Sequence, residues 1–436
     1  MKGWKNSIRY GTLMLWMFVA VQLNAQHHGH QRVFVLKGNV IEISGEGLRN
    51  ASVLLLNAAD STPLALETSD KKGNYRFTKI PAGRYLVKVQ RTGFYLGYSA
   101  PFTVDTGNVA TAIPAVSLTS LTLSESFISG FNDYVEVMKS SFSNPSVYSP
   151  LIYLFLVYLI TFILEVIFPK RINYPLIQRK GFWTDLLYVI FIDFTIQVIG
   201  LYAMTSAVEF LTLKGLGAMG IQTPIFNLHD ALPPGVRFLF FFIAIDFLQW
   251  FGHFLLHRSN FLWQFHKIHH AQETLGFAST RHFHFGEYLV LKPAFWIPFA
   301  LLGFKMELYV IYYVWIAYFL TFLSHTNIKV NFGFLNYIFI TPQTHYWHHS
   351  RNIPGKYGVN YASSLAIWDV LFGFFYNPKD KQPILGIPDN DVPDSFLGQM
   401  AYPFKRLFTK APDPAQNKDA DVKPTQTRQE KRKGKS

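Results

Sequence analysis

Residues 246–270 read DFLQWFGHFLLHRSNFLWQFHKIHH, and residues 341–350 read TPQTHYWHHS. They hold three histidine clusters: His253 and His257; His266, His269 and His270; His345, His348 and His349. As spacings these are HxxxH, HxxHH and HxxHH. Residues three and four apart share one face of a helix, so each cluster can aim two imidazoles at one point. Adjacent histidines such as His269 and His270 diverge around the helix, so one such pair can serve two metal ions. Eight neutral nitrogens are about what two ions need when each keeps an open position. Imidazole suits iron, copper, zinc and nickel, so the ligand type alone does not choose the metal.

Eleven of the fifteen histidines lie between His253 and His349. A lone HxxxH arises by chance in many helices and carries little weight. Three clusters beside apolar segments carry much more, because polar groups near a bilayer core need partners.

The stretch from Asp246 to His270 resembles the first two histidine boxes of the fatty acid hydroxylase/sterol desaturase superfamily. TPQTHYWHHS resembles the third, followed by Asn360-Tyr361 and by Trp368-Asp369 with Leu371-Phe372-Gly373. Arg281, His284 and Glu287 in TRHFHFGE, and Ser324-His325-Thr326-Asn327, are further similar pieces. The resemblance covers roughly residues 150 to 376. It implies a membrane-embedded enzyme with two iron ions that uses O2 to hydroxylate or desaturate lipids. The eight box histidines become expected metal ligands, with His325 a ninth and His284 a weaker tenth. The chain departs from the family in having two residues, His282 and Phe283, between Arg281 and His284; the three-residue step to Glu287 favours His284 for the family role. Ligating histidines usually donate their other nitrogen to a carboxylate or carbonyl, and Asp246, Glu287, Asn327 and Asp369 are the expected partners. Asp185 and Asp193 receive no role. Trp250, Trp263 and Trp347 flank the boxes, as packing or as walls of a substrate tunnel.

Composition is consistent with this reading. Half of the 436 residues are hydrophobic and 42 are Phe. That richness, concentrated between about 150 and 325, indicates membrane rather than a large soluble core. The net charge of +13 fits loops and a tail at an anionic surface; no nucleic-acid motif accompanies it. The absence of cysteine excludes disulfides, iron–sulfur clusters and thiolate chemistry.

Residues 1–25 read as a signal peptide: Lys2, Lys5 and Arg9, an apolar run from Gly11 to Val21, then Leu23-Asn24-Ala25. His27, His28 and His30 follow as an exposed tail. Residues 33–118 carry strand-like runs, VFVLKGNVIEI, ASVLLLN, NYRFTKI and RYLVKVQ, between turn residues. Gly38-Asn39-Val40, Gly73-Asn74-Tyr75-Arg76-Phe77 and Pro81-Ala82-Gly83-Arg84-Tyr85 resemble carboxypeptidase regulatory-like domains. That resemblance implies a seven-stranded sandwich without catalytic residues. The fold class is therefore multi-domain: an all-β sandwich followed by an α-helical membrane domain with a histidine-rich di-metal cap. Residues 119–148 are a linker with an interfacial helix around 125–142. Residues 149–376 are the membrane domain, with spans expected at Leu151–Phe168, Phe182–Met204, Val236–Leu256, Leu289–Gly303 and Met306–Ser324. Residues 377–436 are a cytoplasmic tail, disordered from about 410.

Charge orients the spans. With residues 26–148 periplasmic, the first span reaches the cytoplasm at Lys170, Arg171, Arg179 and Lys180, as the positive-inside rule requires. All three boxes then meet at the cytoplasmic face of a membrane, expected to be a bacterial inner membrane. No haem, flavin or dinucleotide stretch is visible, so electrons must come from an external donor of ferredoxin or cytochrome type, attracted by basic residues such as Lys267 and Arg351. The leading function is lipid hydroxylation. Desaturation by the same site is second. A zinc-dependent or non-catalytic membrane protein is the different-class alternative, disfavoured because no carboxylate stands inside a box as HExxH logic needs.

Overall fold

The computed structural model describes residues 33–408 apart from 92, 106–111, 144, 146–148, 194–201, 220–227, 229–231, 303–305, 353–356, 379–380 and 389. The expected signal peptide, His27, His28, His30 and the tail beyond 410 lie outside the described residues. The chain divides into two compact units, residues 1–120 and 121–436.

The first unit is β-sandwich-like. Its strands are β1 (Val33–Glu42), β2 (Ser52–Asn57), β3 (Pro63–Thr68), β4 (Asn74–Pro81), β5 (Gly83–Gln90), β6 (Gly97–Tyr98), β7 (Phe102–Val104) and β8 (Val116–Leu118). One sheet runs β4-β1-β8; the other runs β3-β2-β5-β6, with β7 also paired to β5. The alternation that marks β5 in the sequence is physical. Tyr85, Val87 and Val89 face inward and are buried, while the residues between them are more exposed, because successive side chains point to opposite faces. They meet Leu36, Val40, Leu55 and Phe77 in the core. Gly38 stands opposite Tyr75 in the β1–β4 ladder. A Cβ on Gly38 would come within 2.2 Å of the Tyr75 ring, so that ring closes over the strand only where a side chain is missing. The short strands β6, β7 and β8 carry too few residues to show a period, which is why the sequence runs do not reveal them.

The second unit is helical. Its helices are α1 (Leu123–Ser143), α2 (Pro150–Ile167), α3 (Phe182–Val189), α4 (Tyr202–Ala218), α5 (Pro234–Arg258), α6 (Asn260–His270), α7 (Phe285–Leu302), α8 (Met306–His325), α9 (Pro342–His348), α10 (Ile367–Phe372) and α11 (Phe396–Leu407). Helix α1 occupies the stretch assigned to a linker and packs on α4 and α2. Among the described residues, one helix, Gly235–Arg258, is long and apolar enough to cross a membrane. Residues 151–167 and 316–325 are shorter apolar helices. The expected span Phe182–Met204 is not one regular helix, since α3 passes into a widened π turn at residues 190–193. The carboxylates Asp185 and Asp193 in this stretch are both buried and ion-paired.

Three features of α5 to α9 place the boxes. Ser259 ends α5 and starts α6: its backbone N–H donates to the Leu255 carbonyl, and its Oγ accepts from the Leu262 N–H. One residue therefore turns the chain between the first two boxes. Helix α9 begins with a reciprocal cap between Thr341 and Thr344 and with Pro342 in its first turn, which satisfies backbone donors that such a short helix would leave open. Helix α8 packs against α9 and α5, and His325 is its last residue.

Candidate metal centre

Among the described residues, nine histidines converge. His253, His257, His266, His270 and His348 form one group, and His269, His325, His345 and His349 form another. Within each group the available nitrogens lie within 4.8 Å of one another. All are buried except His253, which is half-buried. The neighbours His269 and His270 fall in different groups, as do His348 and His349. The His270 and His349 rings stack at 4.5 Å between the groups.

The outer nitrogens fix the tautomers. His253 Nδ1 donates to the Tyr361 carbonyl at 2.8 Å and His348 Nδ1 to the Val359 carbonyl at 2.8 Å. His269 Nδ1 donates to the His282 carbonyl at 3.0 Å and His325 Nδ1 to the Thr321 carbonyl at 2.9 Å. His266 Nδ1 meets Glu287 Oε2 at 3.1 Å. A neutral ring that donates from Nδ1 presents a lone pair at Nε2. Those lone pairs face one another: His253 and His266 Nε2 are 3.0 Å apart, and His269 and His325 Nε2 are 3.2 Å apart. Facing lone pairs repel unless a cation lies between them. Two nitrogens each about 2.1 Å from one ion stand about 3.0 Å apart at a right angle and about 3.4 Å at a tetrahedral angle. Nε2 atoms of His257 and His348 are buried without a hydrogen-bond partner. The donor set therefore fits one ion in each group.

Burial, followed by the charge of neighbouring imidazoles, holds His270 and His349 well below the ordinary histidine range. Burial pushes His348 down to about 3. Neutral imidazole is the metal-binding form, so these rings are prepared as ligands rather than as proton donors.

His284 is not in either group. Its Nε2 donates to the Met400 carbonyl at 3.0 Å, and its Nδ1 accepts the Gly286 N–H at 2.9 Å. Of the four expected partners, Glu287 touches a histidine directly. Asp369 instead accepts from the Tyr361 and Ala362 backbone N–H groups and from Trp250 Nε1, each at 2.9 Å. It thereby holds the segment whose carbonyls orient His253 and His348. Asp246 accepts from Trp368 Nε1 at 2.9 Å and the Leu365 N–H at 3.2 Å. Asn327 clamps the backbone of Ile172 through both amide atoms. These side chains bind backbone or indole, while main-chain carbonyls take the outer nitrogens of His253, His269, His325 and His348.

Sequence reasoning missed a buried polar layer beside the second group. Asp185 pairs with Arg179 and accepts from Gln272 Nε2 and Ser279 Oγ, each at 2.7 Å. His282 Nδ1 lies 2.5 Å from Asp185 Oδ1. Arg281 pairs with Asp193 at 2.8 Å. Trp263 lies against His257 and His270, with ring centroids at 5.1 and 5.4 Å. Lys267 and Arg351, expected to attract a donor, face carboxylates: Lys267 pairs with Asp391, and Arg351 lies 3.9 Å from Glu273.

Residues 238–374 match the fatty acid hydroxylase family, and residues 35–119 match the carboxypeptidase regulatory-like domain. The chain is 34% identical over 185 residues to an ornithine lipid hydroxylase, OlsE, of Rhizobium tropici, covering 42% of this chain and 54% of that protein. It is 33% identical over 145 residues to an alkylglycerol monooxygenase of Xenopus tropicalis, covering 32% of this chain and 30% of that protein. The Homo sapiens alkylglycerol monooxygenase is 29% identical over 147 residues, covering 32% of this chain and 31% of that protein. The matched region thus spans about half, or less, of each relative's length. The chain thus joins a segment that matches the carboxypeptidase regulatory-like domain to one that matches the fatty acid hydroxylase family and carries the nine gathered histidines.

Proposed function

We propose that this protein is an O2-dependent di-iron hydroxylase of a membrane lipid. The observation that carries the reading is the division of nine histidines into groups of five and four whose lone pairs converge. The hydroxylase and monooxygenase relatives support lipid as the substrate class. His253, His257, His266, His270 and His348 would hold one ion, and His269, His325, His345 and His349 the other. When bound, iron supplies the O2 chemistry needed to oxidise an unactivated C–H bond. The protein's own part is positional. Carbonyls of Val359, Tyr361, His282 and Thr321 lock the ligand tautomers, and Glu287 orients His266. Burial keeps the rings neutral and limits the access of water. Helix α5 would cross the membrane and deliver the first box to its cytoplasmic face. Electrons would come from a separate donor of ferredoxin or cytochrome type.

The test is turnover of a lipid extract by purified protein, with a reductant, under labelled O2 and under anaerobic conditions. Expected is a lipid product that gains one labelled oxygen atom only in the presence of O2. A product lacking two hydrogens would point to desaturation. Turnover without O2 would sink the oxygenase reading.

A further inference from the structure

We infer that His282 is a dedicated positioning residue for the ion of the four-histidine group, and that it is held in that role from the far end of the chain by Gln399. The inference rests on the two-ion reading above.

His282 touches the group only through its main chain. Its carbonyl accepts the Nδ1–H of His269 at 3.0 Å and so turns His269 Nε2 toward the ion site. Where that carbonyl points is set by the His282 side chain, which is clamped on three sides. Nδ1 meets Asp185 Oδ1 at 2.5 Å, and Nε2 meets Gln399 Oε1 at 2.9 Å. The ring stacks on Tyr188 at 4.2 Å. The amide of Gln399 cannot be reversed cheaply: its Nε2 donates to the Pro393 carbonyl at 2.9 Å, while its Oε1 also accepts from Tyr188 OH at 2.9 Å. Reversal would set oxygen against oxygen at Pro393. Both nitrogens of His282 therefore have a fixed oxygen partner. Asp185 is itself fixed by Arg179, Gln272 and Ser279. Each member of this layer is buried.

The five-histidine group has a separate support. The Val359 and Tyr361 carbonyls orient His348 and His253, and Asp369 holds that segment. The two ions thus depend on different parts of the fold, and damage to one support should release one ion.

The experiment loads full-length protein and His282→Ala, His282→Gln and Gln399→Leu variants with ferrous iron or cobalt, then follows release to a chelator. Thermal unfolding confirms that each variant is folded. Wild type should release two ions per chain. His282→Ala should bind one of them about tenfold or more weakly, in line with the loss of an outer partner of a ligating histidine. His282→Gln should recover part of that loss, and Gln399→Leu, distant from every ligand, should weaken the same ion by less. Asp369→Asn should weaken the other ion. Full two-ion retention by His282→Ala and Gln399→Leu, or equal weakening of both ions, would overturn the inference. A wild-type protein holding fewer than two ions would instead overturn the two-ion reading on which it rests.

Discussion

His269 and His270 are neighbours in the chain, yet they belong to different metal groups. His269 Nε2 lies 3.2 Å from His325 Nε2, and His270 Nε2 lies 3.1 Å from His266 Nε2. A helix turns about 100° per residue, so consecutive rings near the end of α6 reach to either side of a shared wall. Substituting either one should therefore cost one ion. His270→Ala should leave the four-histidine ion in place, and His269→Ala the five-histidine ion. Elemental analysis of folded protein should read close to one ion per chain in each, against two in wild type, with turnover abolished in both. Loss of both ions in either variant would mean that the groups do not bind independently.

Among the described residues, Glu287 is the one carboxylate bonded to a ligating ring. Glu287→Ala should weaken the five-histidine ion by about 10- to 100-fold. Glu287→Gln, whose amide oxygen can still accept the His266 proton, should be milder. Metal titration of the two variants distinguishes an orienting role from one that needs the negative charge, which would leave Gln no better than Ala.

Burial pushes the Asp369 carboxyl up to about 6 from its ordinary 3.8. The folded chain then holds that proton more tightly than the unfolded chain. Its contribution to stability is complete below the ordinary value and is lost as pH rises through about 6. Melting temperatures of metal-free wild type and Asp369→Asn should be compared between about pH 4 and pH 7. Wild type should lose stability relative to the variant as pH rises. Parallel curves would show that Asp369 is not the titrating group.

Phe77 is fully buried in the sandwich core. Phe77→Ala should destabilise the first unit by about 3–5 kcal/mol. The second unit has its own core, so metal content should be unchanged. Calorimetry and elemental analysis of the same sample test both halves of the statement.

The proposed orientation predicts that a reporter fused after Leu118 is active only outside the cytoplasm, and one fused after Asn377 only inside it. Signals from the same side would remove the argument that α5 carries the first box to the cytoplasmic face.

The histidine spacing announces eight of the nine converging rings because ligand periodicity is local, whereas His325 stands outside the three boxes and is marked only by the family resemblance. The partners of those rings are harder to read. Val359, Tyr361, His282 and Thr321 act through carbonyls, which every residue possesses and no side-chain pattern marks. Asp185 meets His282 across 97 positions of sequence, so neither residue carries a local signal of the other. The irregular end of α3 is hidden for a related reason: its apolar run is long enough for a span, but Asp193 is drawn into an ion pair with Arg281, far along the chain. The four longer runs of the sandwich are legible by alternation, whereas β6, with two residues, shows no period.

Ser259, which closes one helix and opens the next, also sets which parts of this gene can vary in length. Eight residues separate His257 from His266, and they are spent on two helix ends and that single joint. One inserted residue within α6 ahead of His266 would rotate the ring positions by about 100° and aim them away from their partners. The seventy-four residues between His270 and His345 include loops in which an added residue need not pass its rotation on to the third box. Insertions and deletions among relatives should therefore collect in the long interval and be nearly absent from the short one.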